Sequence, residues 1–185
     1  MSSAQKLEGF TLIELLIVVS IITILSGVML PGFSNYISGQ SRRQAIEQVE
    51  DDLRTLENKA LAGDSVLDVL PNGLQPLYWG VRFEQNQDRY QYFVSSTNTN
   101  CYPSPVNSYT LKTTSTKLPG DNVLKTGTRC VFFSFANSDV TMRNSSGNNV
   151  SPMIITIGLL TGNVCNRVQL NAYGLIEVFL STACT

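Results

Sequence analysis

The sequence predicts an α+β protein, with a long N-terminal helix packed on a C-terminal antiparallel β-sheet or sandwich domain. Three features of the chain indicate this fold class. An uninterrupted apolar run lies near its start, a charged segment with helical spacing follows, and strand-like runs fill the chain from residue 64 onward. The 185 residues are enough for one such domain with an appendage.

The apolar run has the length of a membrane helix. From Leu15 to Gln40 there is no charged residue, and the run counted from Phe10 to Leu30 has 21 residues. As a helix it would extend about 31 Å, enough to cross the hydrocarbon core of a bilayer. We therefore expect a transmembrane helix over residues 10–32. The alternatives are a buried core helix and a cleavable secretory signal peptide. A signal peptide places its small-residue cleavage site after the apolar core, whereas Gly9 precedes it.

The charges flanking the run do not settle its orientation. Lys6 and the amino terminus lie on one side, and Arg42 and Arg43 lie on the other. All four cysteines follow the apolar run, which favours an oxidising compartment for the C-terminal domain. We expect residues 64–185 to be extracytoplasmic.

Residues 33–63 are predicted to form an amphipathic helix. The apolar positions of its charged part are spaced by three and four residues: Ile46, Val49, Leu53, Leu56 and Ala60. This spacing indicates one apolar helix face, which we expect to pack against a sheet; a coiled coil of two heptads is the alternative. Gly63 is expected to cap the helix. The two helical halves are expected to form one long helix with a kink near Pro31.

The rest of the chain is predicted to form short strands separated by polar turns. The predicted strands cover residues 77–84, 89–94, 109–113, 122–125, 129–135, 139–143, 152–159, 164–171 and 174–180. Aromatic residues alternate along the first two, which indicates core packing and cross-strand pairs rather than a binding face.

The composition excludes several classes of enzyme. The chain has no histidine, which rules out Ser-His-Asp and Cys-His catalysis and histidine zinc sites. No phosphate-binding or nucleophile motif occurs, so we predict that the protein is not an enzyme and needs no cofactor. Asp51 and Asp52 are expected on a solvated helix face. An Asn-rich cluster could bind calcium, but it lacks EF-hand spacing and is more typical of an ordinary loop. That cluster is Asn137, Asp139, Asn144, Asn148 and Asn149.

One carboxylate interrupts the apolar run. Glu14 lies four residues into it, where a charge costs about 2.5–3.5 kcal/mol if it reaches the bilayer centre and less near the end of the helix. Snorkelling of Glu14 to the interface is the alternative to a functional role.

The segment Gly9-Phe10-Thr11-Leu12-Ile13-Glu14-Leu15-Leu16 resembles the prepilin processing motif of type IV pilins and type II secretion pseudopilins. The resemblance implies that residues 1–9 are a cytoplasmic leader, and that a membrane prepilin peptidase cleaves between Gly9 and Phe10. It also implies N-methylation of Phe10. Pro31 matches a common kink position of pilins.

After cleavage, Phe10 and Glu14 lie one turn apart on the same helix face. We expect Glu14 to act in assembly, by pairing with the Phe10 amine of a neighbouring subunit.

Looser motifs in the second half of the chain resemble the H-type pseudopilins and related minor pilins. They include Val131-Phe-Phe-Ser-Phe135 and the run from Val168 to Val178. The resemblance implies a non-catalytic filament subunit in the inner membrane. Its partners would be prepilin peptidase, other pilins or pseudopilins, and the membrane platform protein of the assembly machine.

The alternative function is a DNA-uptake minor pilin that binds DNA. Its candidate basic residues are scattered, which makes nucleic acid a disfavoured partner. They are Lys112, Lys117, Lys125, Arg129, Arg143 and Arg167.

The four cysteines allow three pairings, and sequence alone does not choose among them. We predict Cys101–Cys130 and Cys165–Cys184. The second pair flanks the final hairpin and would fix the C-terminus, and the first would tie the Ser/Thr/Asn-rich loop to a strand.

Overall fold

The structure is a computed structural model that describes residues 11–63, 70, 73, 75–102, 108–137 and 139–184. Within these ranges, the side chains of residues 28–32, 108–114 and 181 lie outside the description. The chain divides into two compact units, residues 1–39 and residues 40–185.

A single helix, α1, runs from Leu12 to Leu61. The helix continues through Pro31, and the kink expected there stays a prediction. The helix ends where the sequence predicts: Gly63 adopts a φ of 64°, and its N–H donates to the Ala60 carbonyl. Glycine takes this left-handed conformation without strain, so Gly63 closes the helix.

In the part of the chain that the structure describes, nine antiparallel strands form two sheets. The strands are β1 (Tyr78–Phe83), β2 (Arg89–Ser95), β3 (Ser108–Lys117), β4 (Asn122–Leu124), β5 (Arg129–Ser134), β6 (Val140–Asn144), β7 (Met153–Leu159), β8 (Val164–Leu170) and β9 (Ile176–Ala183). The five-stranded sheet has the order β3-β2-β1-β5-β6, and the four-stranded sheet has the order β4-β7-β8-β9. The α+β class is confirmed. Strand β3 is longer than predicted, because the threonine-rich continuation to Lys117 pairs with β2.

The apolar face of the second half of α1 forms the centre of the core. The five residues with helical spacing, Ile46 to Ala60, are all buried. They belong to one cluster that includes side chains from both sheets, such as Val81 and Val131 from the first sheet and Ile155 from the second. The alternative of a coiled-coil seam is therefore wrong for this face, because the sheets cover it.

Two disulfides are present, between Cys101 and Cys130 and between Cys165 and Cys184. These are the two predicted pairs. The first lies in a small cluster with Phe93 and Phe132, separate from the main core. The sequence separations of 29 and 19 residues correspond to about 3–4 kcal/mol each in the chain-entropy model.

Asp52 corrects one sequence expectation. Asp51 is exposed as predicted, but Asp52 is half-buried and accepts a hydrogen bond from the Tyr90 hydroxyl of β2. The same hydroxyl accepts a hydrogen bond of 3.2 Å from Gln48 Nε2. Gln48 Nε2 also donates to the Lys117 carbonyl at 3.1 Å. The helix thus holds the β2–β3 side of the sheet through polar contacts as well as apolar ones.

Burial raises the pKa of the Tyr90 phenol well above its ordinary value, and the hydrogen bond to the Asp52 carboxylate raises it further. Burial also raises the pKa of Tyr92, whose ring lies edge-on to that of Tyr90. Both phenols therefore remain neutral in the folded protein at pH values where an exposed tyrosine ionises.

We predict that Leu53→Ala lowers the free energy of unfolding by about 3 kcal/mol, because Leu53 is 1% exposed and its truncation leaves a cavity. Leu61→Ala is the matched control, since Leu61 is on the same helix and 55% exposed. Urea unfolding of the detergent-solubilised chain, followed by fluorescence of the single tryptophan, measures both. Equal effects of the two substitutions would contradict the packing described.

We predict that Tyr90→Phe lowers the free energy of unfolding by about 2 kcal/mol at pH 8, because it removes a hydrogen bond to a half-buried carboxylate. Tyr173→Phe is the control, since Tyr173 is 94% exposed and should change stability by less than about 0.5 kcal/mol. A double-mutant cycle with Asp52→Asn should show coupling between the two side chains.

The same phenol predicts an alkaline dependence. Because the folded pKa is raised, the stabilisation is fully present below about pH 10 and is lost as the pH rises further, where the unfolded chain ionises first. The fall in unfolding free energy between pH 8 and pH 11 should be shallower in Tyr90→Phe than in the native protein. A parallel fall in both proteins would show that Tyr90 does not contribute.

Candidate processing and assembly site

The described chain begins at the N-terminus of α1, where Thr11 and Glu14 form a capping box. The Thr11 N–H and the Thr11 hydroxyl both donate to Glu14 Oε2, at 3.1 Å and 3.0 Å. The Glu14 N–H in turn points to Thr11 Oγ1 at 3.4 Å. These contacts satisfy backbone donors that the first turn of a helix otherwise leaves without partners.

The capping role was missed in the sequence analysis, although its signal is present. A Thr followed three residues later by Glu, just before an apolar run, is the usual signature of a helix start. Glu14 was assigned a role in assembly from its charge and its spacing from Phe10. The structure gives it a local partner in its own chain, and only one carboxylate oxygen, Oε2, takes part in these hydrogen bonds.

Gly9 and Phe10, between which cleavage is predicted, lie outside the described residues. The side chain of Pro31 is likewise outside the description, while its backbone belongs to α1.

The first part of α1 presents apolar side chains on every side. All described side chains from Thr11 to Gly27 are exposed, including Ile13, Ile17 and Ile24. A helix that is apolar all round is stable only when something else covers it. Among the residues that the structure describes, no helix combines the length and the apolar character needed to cross a membrane.

The polar side chains within this apolar surface bond to their own helix. Ser20 Oγ donates to the Leu16 carbonyl at 2.8 Å, and Thr23 Oγ1 donates to the Val19 carbonyl at 2.7 Å. A hydroxyl that bonds back to the preceding turn needs no water as a partner. Both residues therefore fit an apolar environment.

The Asn-rich cluster considered for calcium binding forms hydrogen bonds within its own loops. The Asn144 amide oxygen accepts hydrogen bonds from the backbone of Ser146 and Asn148, and Asn137 donates to Asp139. Among the described residues no group of three or more His, Cys, Asp and Glu side chains could hold a metal ion.

Four of the basic residues considered for DNA binding interact with backbone carbonyls or a carboxylate of their own chain. Lys125 donates to the Leu160 carbonyl, Arg143 to the Asn98 and Gly147 carbonyls, and Arg167 to the Ala183 carbonyl. Lys117 lies 3.6 Å from Asp88 in an exposed ion pair.

Comparison with known families identifies the N-terminal segment. Residues 6–30 match the family model described as the prokaryotic N-terminal methylation motif, which is the signature of type IV pilins and pseudopilins. The motif implies processing by a prepilin peptidase and assembly with other pilins, and proteins that carry it are generally structural rather than catalytic. The match ends before the β-domain. No solved structure matches the chain.

Proposed function

We propose that this protein is a non-catalytic, pilin-like subunit of a type IV pilus or a type II secretion pseudopilus, and that it is a minor subunit related to the H-type pseudopilins. The methylation motif at residues 6–30 is the observation that carries the proposal. Cleavage between Gly9 and Phe10 would release the leader and create a cationic, N-methylated amine at Phe10. The mature chain would then enter a filament through its N-terminal helix.

The exposed apolar surface of α1 supports this role. Side chains such as Leu15, Val19 and Ile22 have no cover from the rest of the described chain. Before assembly a bilayer would cover them, and in the filament the helices of neighbouring subunits would do so. Each environment removes apolar area from water, which contributes about 25 cal/mol per Å².

The two disulfides support an extracytoplasmic location for the β-domain. Disulfides persist in oxidising compartments and are reduced in the cytosol. We therefore place the mature protein in the cytoplasmic membrane as a single-pass protein, with residues 64–185 outside the cytoplasm.

Glu14 can serve both the helix start and assembly. Its hydrogen bonds to Thr11 leave the negative charge in place, and a carboxylate in apolar surroundings is stabilised by a nearby cation. An amine at 4 Å contributes about 4 kcal/mol at an effective dielectric constant near 20, before the cost of desolvation. The Phe10 amine of a neighbouring subunit would supply that cation and fix the register between subunits.

We predict that the mature protein begins at N-methylated Phe10. Mass spectrometry of protein purified from cells with an active prepilin peptidase measures the N-terminus directly. Gly9→Leu should block processing, because a small residue at the cleavage site lets the backbone enter the peptidase. A mature chain that retains Met1 in such cells would refute the proposed maturation.

We predict that Glu14→Leu and Glu14→Gln both reduce incorporation into filaments, by about tenfold or more, while membrane levels and processing remain normal. Glutamine at this position keeps the capping box but removes the charge. Thr11→Ala is the converse variant, because it removes the cap hydroxyl and keeps the carboxylate. Thr11→Ala should therefore assemble normally. Quantitative immunoblotting of sheared filaments against whole cells measures the ratio.

The three variants separate charge pairing from helix capping. Normal assembly of Glu14→Gln would exclude the charge pair, whatever the other variants do. Failure of Thr11→Ala together with normal assembly of Glu14→Gln would assign Glu14 to capping alone.

A further inference from the structure

A cavity of about 240 Å³ lies where the two sheets meet, beside strand β7. Arg129, at the start of β5, contributes to it from the five-stranded sheet, and Arg167 of β8 from the four-stranded sheet. Thr126 and Thr156 add two hydroxyl groups, and the remaining wall includes the apolar side chains of Pro152 and Ile154. No acidic residue lines the cavity.

Arg129 contributes a buried hydrogen-bond donor to this region. Its Nε atom is buried and has no hydrogen-bond partner. Within the described parts of the chain, none of the ion pairs includes Arg129. Burying a charged donor without an acceptor costs free energy, and native proteins rarely leave such a group unsatisfied.

Arg167, the second arginine of the cavity, is held by a hydrogen bond to strand β9. Arg167 Nη2 donates to the Ala183 carbonyl at 2.7 Å, which anchors the guanidinium against the neighbouring strand β9. Two cationic side chains thus line one cavity without an anion among the lining residues. An anion bound in the cavity is attracted to both positive charges.

Thr126 supplies a neutral donor. Its Oγ1 accepts a hydrogen bond of 2.6 Å from the Thr156 N–H, and the Lys125 N–H donates to the Thr156 carbonyl at 2.8 Å. These two bonds fix the segment before β5 against β7. The hydroxyl proton of Thr126 remains available to an acceptor in the cavity.

We propose that this cavity binds the carboxylate of an acidic side chain presented by a partner protein. Guanidinium groups suit a carboxylate, because each offers parallel N–H donors to its two oxygens. The apolar wall formed by Pro152 and Ile154 suits the methylene groups of the same side chain.

A nucleic acid fits the cavity less well. Binding to a polynucleotide backbone requires a track of cations, whereas Lys125 and Arg143 are engaged with backbone carbonyls of their own chain. The cavity lies in the C-terminal unit, away from the N-terminal motif in the sequence, and its binding does not depend on filament assembly.

Propionate is the probe, because it reproduces the end of a glutamate side chain. The full chain, labelled with ¹⁵N-arginine in a non-ionic detergent, is titrated with propionate while the Nε–Hε resonances of its arginines are recorded. We expect saturable shifts of Arg129 and Arg167 with half-saturation at about 1–10 mM, an affinity within reach of so small a ligand. Phosphate at equal ionic strength should bind at least about threefold more weakly.

Variants identify the site. Arg129→Gln should weaken propionate binding by about tenfold, as judged from Arg167, and Arg129→Lys should weaken it less because the charge remains. Arg89→Gln is the matched control, since it removes an exposed arginine paired with Asp88 and should leave binding unchanged.

The wild-type titration alone can overturn the proposal, so the test does not depend on the variants folding. The absence of a saturable shift at Arg129 would exclude an anion site. Tighter binding of phosphate, or of a short oligonucleotide, than of propionate would replace the carboxylate with a phosphate ligand. Equal weakening by Arg89→Gln would show a general charge effect and also overturn it.

Discussion

The stripe of small and branched side chains along the second half of α1 holds the C-terminal unit together. Ala45, Ile46 and Val49 are fully buried, and the side chains packed around the stripe come from both sheets. Neither sheet alone could bury its apolar face. A single helix face therefore packs against the apolar side chains of both sheets and joins them in one core.

The two parts of α1 show how one helix can serve two environments. From Thr11 to Gly27 the described side chains are exposed on all sides, whereas from Ala45 to Ala60 apolar residues keep to one buried stripe and charges to the other positions. The ion pairs Arg43–Glu47 and Glu50–Arg54 lie on that polar surface at helical spacing. The apolar residues are distributed all round the first part of the helix and along one face of the second part. The sheets of the C-terminal unit cover that one face.

The features that depend on local pattern could be predicted from the sequence, and those that depend on distant contacts could not. The buried stripe, the end of α1 near Gly63 and the positions of most strands along the chain follow from periodicity and turn residues. Asp52 was placed wrongly, because its partner Tyr90 is 38 residues away and only the fold brings them together. Arg129 and Arg167 are 38 positions apart and belong to different sheets, so no spacing rule could have paired them. The capping box formed by Thr11 and Glu14 is a local pattern and could have been predicted. It was missed because Glu14 was interpreted only as a partner for the Phe10 amine.

The covalent link at the end of the chain has a consequence for how copies of the protein can associate. Among the described strands, β9 lies at the edge of its sheet, pairs with β8 and exposes Phe179 and Leu180. Such an edge is open to strand exchange, in which the terminal strand of one copy leaves its own sheet and joins that of another. The Cys165–Cys184 bond ties the end of β9 to the start of β8. An oxidised chain therefore keeps its last strand within reach of its own sheet, and reduction removes this barrier to swapping.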